Sequence, residues 1–216
     1  MKHFENEGRD SRAERNPAKV RLCEILRRTS LQSREEPVFR LASGRMSRHY
    51  VDCKQALSDP EARVLVGRLI LERIGGRSFD AVGGMEVGAY PIATSISDAI
   101  FATTGARVRA FVVRKQAKLH GIQGLIAGNV LPGDKTLIVD DVVTAGSSTI
   151  KAIKGARQAG LLVNHVVVII DREEEDGRNN IEAEGVSFEA LMTLSELLDD
   201  AQDALGRSNS QGRPPQ

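Results

Sequence analysis

The apolar residues of this chain fall into short runs that alternate with segments of helical spacing. The runs predict strands, and they cover residues 79–82, 108–113, 137–139, 163–170 and 188–192. The segments between them predict helices, which cover residues 58–74, about 90–103, 149–160 and 193 to about 205. Alternation of this kind predicts an α/β fold, in which helices flank a mostly parallel sheet.

The chain ahead of these units predicts a smaller element. An amphipathic helix is expected over residues 17–31, followed by short strands at 37–42 and 49–54. The turn between the strands contains Gly44, which is free to adopt a positive φ. The two strands should therefore pair as an antiparallel hairpin before the main sheet.

Helix-start signals sharpen two of the boundaries. Ser58 and Glu61 have the spacing of a capping box, and Pro60 falls in the first turn of the same helix. Thr193 and Glu196 have that spacing at the start of the last helix. Residues 1–16 and 206–216 lack periodicity, so we expect flexible tails around one domain at 17–205, with its small first part at about 17–57 and its core at about 58–205.

Composition excludes several classes of protein. The 216 residues carry a formal net charge of +1, which gives no support to nucleic-acid binding. No apolar run approaches the roughly 18 residues that a membrane helix needs. Cys23 and Cys53 lack the spacing of a disulfide or metal framework. The N-terminus contains acids and has no apolar core, which is unlike a targeting peptide. We therefore expect a cytoplasmic protein that binds neither nucleic acid nor membrane.

The strongest candidate site begins where the strand at 137–139 ends. Asp140 and Asp141 follow that strand, and a turn rich in small and hydroxyl residues then leads into a helix. Free backbone N–H groups and the helix dipole make such a turn an anion site. Two carboxylates beside an anion make sense if the ligand carries hydroxyls or a divalent cation next to its phosphate. The alternative is an exposed Asp pair followed by a Ser helix cap.

A second candidate is the basic segment after the strand at 108–113. Arg114, Lys115, Lys118 and His120 lie within seven residues, and the expected loop runs on to residue 134. A long loop inside a compact domain is often a functional lid. If the reaction released an anion such as pyrophosphate, cations on a lid would neutralise its charge, and closure of the lid would exclude water. Taken alone, the segment also fits a solvated basic loop.

A third candidate, Arg172, follows the strand at 163–170 within Asp-Arg-Glu-Glu-Glu-Asp. Its guanidinium is shaped for bidentate recognition of a carboxylate, although a surface salt bridge would explain it equally well by itself. Ligands bind parallel sheets at the carboxyl ends of the strands. We therefore expect segments 83–88, 114 onward, 140–148 and 171–172 to meet at one rim of the sheet.

The pattern of apolar residues, Asp-Asp, Val-Val and Thr-Ala-Gly-Ser-Ser resembles the motif that binds phosphoribosyl diphosphate (PRPP) in the type I phosphoribosyltransferases. Arg-Lys-x-Ala-Lys-x-His-Gly further resembles the catalytic loop of the orotate phosphoribosyltransferase family. The segment at 39–52 resembles that family's N-terminal hood, which covers the base. Asp171-Arg172 resembles the family's Asp-Arg at the end of a strand, whose arginine pairs with the orotate carboxylate.

The resemblance implies a function and a set of site residues. The enzyme would transfer ribose 5-phosphate from PRPP to N1 of orotate, giving orotidine 5′-monophosphate and pyrophosphate on the way to UMP. Lys118, Asp140 and Asp141 would be catalytic, and Tyr50, Val51, Thr144 and Arg172 would bind orotate. PRPP would be bound by Arg114, Lys115, Lys118, His120, Asp140, Asp141, Val142, Val143, Thr144, Ala145, Gly146, Ser147 and Ser148.

The resemblance also implies Mg²⁺ bound mainly through PRPP, and a homodimer in which the loop at 114–121 reaches the neighbouring subunit. Some positions depart from the family pattern: Ala42 stands where many members have Lys, Gln116 replaces a frequent Glu, and Glu86-Val87 replaces a Tyr-Lys pair. Two alternatives stay open, a phosphoribosyltransferase for another base and a non-catalytic regulator that senses PRPP. Arg172 and the basic loop count against the first, and the basic loop also counts against the second.

Overall fold

The computed structural model describes residues 16–41, 44–118 and 124–199, with only the backbone described at 117 and 118. In chain order the elements are α1 (Pro17–Thr29), β1 (Leu31–Ser33), β2 (Phe39–Arg40), β3 (Met46–Ser47), β4 (His49–Val51), α2 (Cys53–Leu57), α3 (Pro60–Ile74), β5 (Ala81–Met85), α4 (Ala89–Thr104), β6 (Arg109–Lys118), β7 (Gly124–Ala127), β8 (Lys135–Val143), α5 (Ser147–Gln158), β9 (Leu162–Asp171), α6 (Gly177–Glu182) and β10 (Ser187–Thr193). The chain turns helical again after Thr193.

Six strands form the central sheet in the order β10-β9-β8-β5-β6-β7. All neighbouring pairs are parallel except β6–β7, which closes one edge as an antiparallel pair. One hydrophobic cluster joins α1, α3 and α4 to one face of the sheet, and a second joins α5 and α6 to the other. The predicted α/β fold is confirmed, because helices cover both faces of a mostly parallel sheet. The apolar runs in the sequence have the same explanation, since strands covered on both faces need apolar side chains at successive positions.

The prediction for β5 was wrong by several residues. The strand runs through Met85, so Gly83 and Gly84 lie inside it and not in a loop after it. A Cβ on Gly83 would overlap the Phe111 carbonyl oxygen, and one on Gly84 would overlap that of Val139. These glycines therefore serve close packing of the sheet.

The N-terminal part differs from the expected hairpin. Leu31 does not end a helix but opens β1, which pairs with β4. The segment expected at 37–42 forms only β2, and its partner is β3 and not the strand at 49–51. Residues 53 and 54, expected in a strand, begin α2, which Asp52 caps by accepting a hydrogen bond from the Lys54 backbone at 3.2 Å.

The predicted helix caps had mixed outcomes. Asp59, not Ser58, caps α3, with its side chain accepting from the Glu61 backbone at 2.8 Å. The capping box after β10 is confirmed, since the Glu196 backbone donates to Thr193 Oγ1 at 3.1 Å and the Thr193 backbone donates to Glu196 at 3.0 Å. Gly44 has the expected positive φ, 91°.

The largest difference concerns the basic segment. Residues 114–118 continue β6, so they belong to an antiparallel extension with β7 and not to a loop that begins at 114. Residues 119–123, including His120 and Gly121, lie outside the described residues. The same holds for residues 1–15 of the first expected tail, residues 200–205 of the expected last helix, and the whole expected tail at 206–216. In the described part of the chain, no helix is long and apolar enough to cross a membrane.

Candidate active site

The turn after β8 lies at the carboxyl rim of the sheet, beside the point where strand order reverses around β5. Gly146 has φ 79°, and α5 begins at Ser147, so the backbone N–H groups of the first helical turn face the rim. Gly177 of α6 packs directly against the Thr144 carbonyl, and Asn180 donates to the Ala145 carbonyl at 3.1 Å. The short helix α6, which we did not predict, therefore supports the turn from behind.

Asp140 lies inside β8, which continues to Val143, and not after its end as the sequence suggested. Its carboxylate is buried and accepts from the Thr149 hydroxyl at 2.7 Å and from the Asp141 backbone at 3.0 Å. Burial, followed by the charge of Asp141, raises the pKa of Asp140 to about 7. The acid pair thus has one member that ionises near neutral pH.

Asp141 faces α2 of the N-terminal part. Its Oδ2 lies 3.5 Å from Lys54 Nζ, which also contacts Asp52 Oδ1 at 2.8 Å. Burial would lower the pKa of Lys54, but its hydrogen bond to Asp52 and the charge of Asp141 outweigh burial and raise it. Lys54 therefore stays charged and balances one of the two rim carboxylates.

Arg172 is enclosed at the end of β9, with a side chain only 2% exposed. Its Nη2 lies 3.1 Å from Ser47 Oγ, 3.3 Å from the His49 carbonyl and 3.2 Å from Glu174 Oε1. Its backbone N–H donates to the Val143 carbonyl at 2.9 Å, which joins the ends of β8 and β9. A surface salt bridge is excluded as the explanation of this residue, because its side chain is buried beneath β3 and β4.

The two predicted base-binding residues of β4 differ in exposure. Tyr50 is 38% exposed, and its ring stacks on Phe39 with centroids 5.7 Å apart. The Val51 side chain is buried in the core and is directed away from solvent. Only the backbone of Val51 is left to contact a ligand.

The basic residues of β6 are held in different ways. Arg114 donates to the Gly124 and Ile126 carbonyls at 3.1 and 3.4 Å, which ties β6 to β7. Lys115 is exposed, and its backbone donates to Glu86 Oε1 at 2.8 Å. The Lys118 side chain and all of His120 lie outside the described part of the structure.

The described members of the four predicted segments do meet at one rim. Glu86 joins the end of β5 to β6, Arg172 joins β9 to β8, and a Cβ on Gly88 would lie 3.0 Å from the Asp141 carboxylate. Ser147 and Ser148 are exposed at the start of α5, whereas the side chain of Val143 is buried and that of Val142 is half-buried.

Sequence reasoning missed three functional neighbours of the rim. Lys54 was assigned to a strand, although Asp52 before it has the character of a helix cap. Thr149 was noted only as a helix residue, and Glu174 only as part of an acidic run. No pattern in the sequence pairs Lys54 with Asp141, since 87 positions separate them.

The fold and the rim define a type I phosphoribosyltransferase. The family model for the phosphoribosyl transferase domain matches residues 54–189. The chain is 43% identical to the orotate phosphoribosyltransferase of Aquifex aeolicus, over 82% of this chain and 96% of that protein. It is 37% identical to that of Corynebacterium glutamicum, over 83% and 94% of the two chains.

Solved structures agree. The orotate phosphoribosyltransferase of Mycobacterium tuberculosis in complex with PRPP is similar with a TM-score of 0.66 and 34% identity, covering 84% of this chain and 99% of that one. This chain belongs to the orotate phosphoribosyltransferase family.

Proposed function

We propose that the protein transfers the ribose 5-phosphate group of PRPP to N1 of orotate, forming orotidine 5′-monophosphate and pyrophosphate for pyrimidine biosynthesis. One observation carries the proposal: a carboxylate pair beside a helix N-terminus shares a rim with an enclosed arginine. The first arrangement suits a sugar phosphate, and the second suits a base with a carboxylate.

Asp140 and Asp141 would hold the ribose hydroxyls and stabilise the positive charge that develops at C1 as pyrophosphate leaves. The backbone and hydroxyls of residues 144–148 would bind the 5′-phosphate through the start of α5. No covalent nucleophile is needed, because positioning and charge stabilisation account for such a transfer. Val142 and Val143 would contribute through their backbone.

Arg172 would pair with the orotate carboxylate, with Thr144 at the edge of the base. Tyr50 would cover the base from the hood, and Val51 would act through its backbone. A neutral base such as uracil or adenine offers no carboxylate to this arginine. The buried guanidinium is therefore the observation that favours orotate over another base.

The cations of β6, together with His120, would bind the pyrophosphate, with Lys118 the most important and Arg114, Lys115 and His120 assisting. Five residues from 114 to 118 in extended conformation span about 16 Å beyond the rim. Because this part of β6 continues past Val113, where its pairing with β5 ends, we propose a homodimer in which segment 114–121 serves the neighbouring subunit.

Magnesium would bind mainly through PRPP oxygens and would neutralise charge on the leaving pyrophosphate. Among the described residues, no group of three or more His, Cys, Asp or Glu is arranged to hold a metal. Asp140 and Asp141 already accept hydrogen bonds from Thr149 and the backbone of β8. A cation that arrives with its substrate fits this donor set.

The remaining assignments are proposals of the same kind. Both cysteines are buried and neither forms a disulfide, which fits the reducing cytoplasm. We propose a single domain at 17–205, with a hood at about 17–57 and a core at about 58–205, between tails at 1–16 and 206–216. Neither nucleic acid nor a membrane is an expected partner.

A panel of bases tests the reaction. Purified protein is incubated with PRPP, Mg²⁺ and each of orotate, uracil, hypoxanthine and adenine, and nucleotide formation is measured. Only orotate should be converted. Turnover with another base but not with orotate would refute the assignment, and no turnover at all would favour a regulator that senses PRPP.

Two variants test the shared site. Lys118→Ala should lose most of kcat yet still bind orotidine 5′-monophosphate, whereas Lys135→Ala, at the opposite edge of the sheet, should be unaffected. Mixing Lys118→Ala with Asp141→Asn subunits should restore part of the activity, because one mixed site would be intact. No recovery after demonstrated subunit exchange would exclude sharing.

A further inference from the structure

The hydrogen bonds of Arg172 are unevenly distributed over its guanidinium. Nη2 carries two N–H groups, yet three acceptors lie around it: Ser47 Oγ, the His49 carbonyl and Glu174 Oε1. Nε is buried and has no acceptor among the residues that the structure describes. Nη2 therefore has more acceptors than N–H groups, while the neighbouring donor Nε has no acceptor among the described residues.

Glu174 is the one anionic member of this set, and its own contact is incomplete. Oε1 lies 3.2 Å from Arg172 Nη2, whereas Oε2 is buried without a donor from the described part of the chain. A carboxylate that binds an arginine well uses both oxygens against two N–H groups. Glu174 uses only one, so its hold on Arg172 is weak.

The segment that carries Glu174 has an unfavourable backbone. Glu173, Glu175 and Asp176 have φ values of 58°, 54° and 52°, in the left-handed region that non-glycine residues seldom adopt. Glu173 is anchored by its backbone N–H to Asp171 at 2.9 Å and by its carboxylate to the Ser195 backbone at 3.3 Å. Glu174 is thus held over Arg172 by a strained segment, a feature common at ligand clamps.

We infer that Glu174 is a stand-in for the substrate carboxylate, which orotate must displace from Arg172; this inference rests on the proposed function. In the free enzyme Glu174 compensates a buried positive charge that would be costly alone. The carboxylate of orotate forms the bidentate contact that Glu174 lacks, with one oxygen on Nε and the other on the Nη2 position that Glu174 leaves. Two carboxylates beside one guanidinium repel each other, so the stand-in leaves as the substrate binds.

The stand-in also sets a limit on the affinity for orotate. A base without a carboxylate cannot replace the charge of Glu174, so its entry would leave the ion pair in place. Only a base with a carboxylate, such as orotate, can replace the Glu174 carboxylate on Arg172 with one that makes a bidentate contact. Glu174 therefore lowers the affinity for orotate while it keeps Arg172 from being an unpaired charge when the site is empty.

Glu174→Gln tests this exchange, because it removes the competing charge and keeps the size of the side chain. The dissociation constants of orotate and uracil are measured by titration calorimetry, together with KM for orotate and for PRPP. Orotate should bind about threefold to tenfold more tightly to the variant. The uracil affinity and the KM for PRPP should not change.

Asp176→Asn is the matched control, because it removes the same charge from the same segment, and Asn tolerates its positive φ. It should change the orotate affinity less than about twofold, as expected for an exposed charge. If Glu174→Gln fails to fold, Glu174→Asp is used, since its shorter side chain withdraws the carboxylate from Arg172 and should also tighten orotate binding.

Unchanged or weaker orotate binding in Glu174→Gln would overturn the inference and assign Glu174 to orienting Arg172. That result is distinguishable from failure of the proposed function. In the latter case the unsubstituted enzyme itself would form no orotidine 5′-monophosphate. An active wild-type enzyme with an unimproved variant refutes the stand-in alone.

Discussion

The ends of β8 and β9 lie side by side at the rim, yet their functional groups are held in different ways. Asp140 is held by neighbours in sequence, the Asp141 backbone and Thr149. Arg172 is held mainly by Ser47 and His49, more than 120 positions away. The proposed sugar-phosphate half of the site is therefore built by one strand–turn–helix unit, whereas the proposed base half needs the N-terminal strands to pack over the end of β9.

The sharpest test of this difference is Arg172→Gln. It should lower kcat/KM for orotate on the order of 100-fold, because a buried contact between a charged donor and a carboxylate is lost. The KM for PRPP should change little, since Asp140 and the turn after β8 are held by contacts that do not involve Arg172. Arg178→Gln, an exposed arginine of the adjacent helix, is the control. Equal losses for both substrates would mean that the two halves are not separable.

Lys54→Met should have the next largest effect. It removes the cation next to Asp141 and should raise KM for PRPP about tenfold, with a smaller change in KM for orotate. Lys54→Arg should recover much of the loss. Lys19→Met, which breaks a remote ion pair with Glu196, serves as the control. A change in orotate KM alone would place Lys54 in the base half instead.

Thr149→Val should shift a pH profile. The Thr149 hydroxyl stabilises ionised Asp140, whose pKa is about 7, so removing it should raise that pKa further. Activity requires the ionised form, so the acid limb of kcat/KM for PRPP should move to higher pH by about half a unit to one unit. Thr149→Ser should restore the wild-type profile. A shift towards lower pH would contradict the role given to Asp140.

Ser47→Ala should have the smallest effect. It removes one of the two hood contacts to Arg172 and should raise KM for orotate about twofold to threefold. Ser58→Ala, whose hydroxyl bonds only the preceding turn among the described residues, is the control. No difference between these two variants would mean that the hood positions Arg172 through the His49 carbonyl alone.

The success of sequence reasoning follows the same division between local and distant contacts. The turn at Gly146 and the capping box of Thr193 and Glu196 were predicted, because each depends on residues within a few positions. The partner of β2 was predicted wrongly, because Met46–Ser47 and His49–Val51 both follow the turn at Gly44. Short strands with little apolar periodicity do not specify which neighbour they pair with.

The basic segment shows a different limit. Arg114–Lys118 has charged residues that are typical of a loop, yet it continues β6, because β7 supplies hydrogen-bond partners and Arg114 binds β7 carbonyls. Val51 was assigned to the base, but packing against the core directs its side chain inward. In both cases tertiary contacts overrode the local pattern.

The sequence by itself determined the class of fold, the turn proposed to bind an anion and the candidate residues at each strand end. These features depend on periodicity and on groups that are close along the chain. Only the tertiary structure decided that Lys54 faces Asp141, that β3 and β4 enclose Arg172 and that Glu174 contacts the Arg172 guanidinium. The physical reason is that each of these groups is charged and at least partly withdrawn from water. Its partner is set by which distant segment folds against it, and no local pattern records that choice.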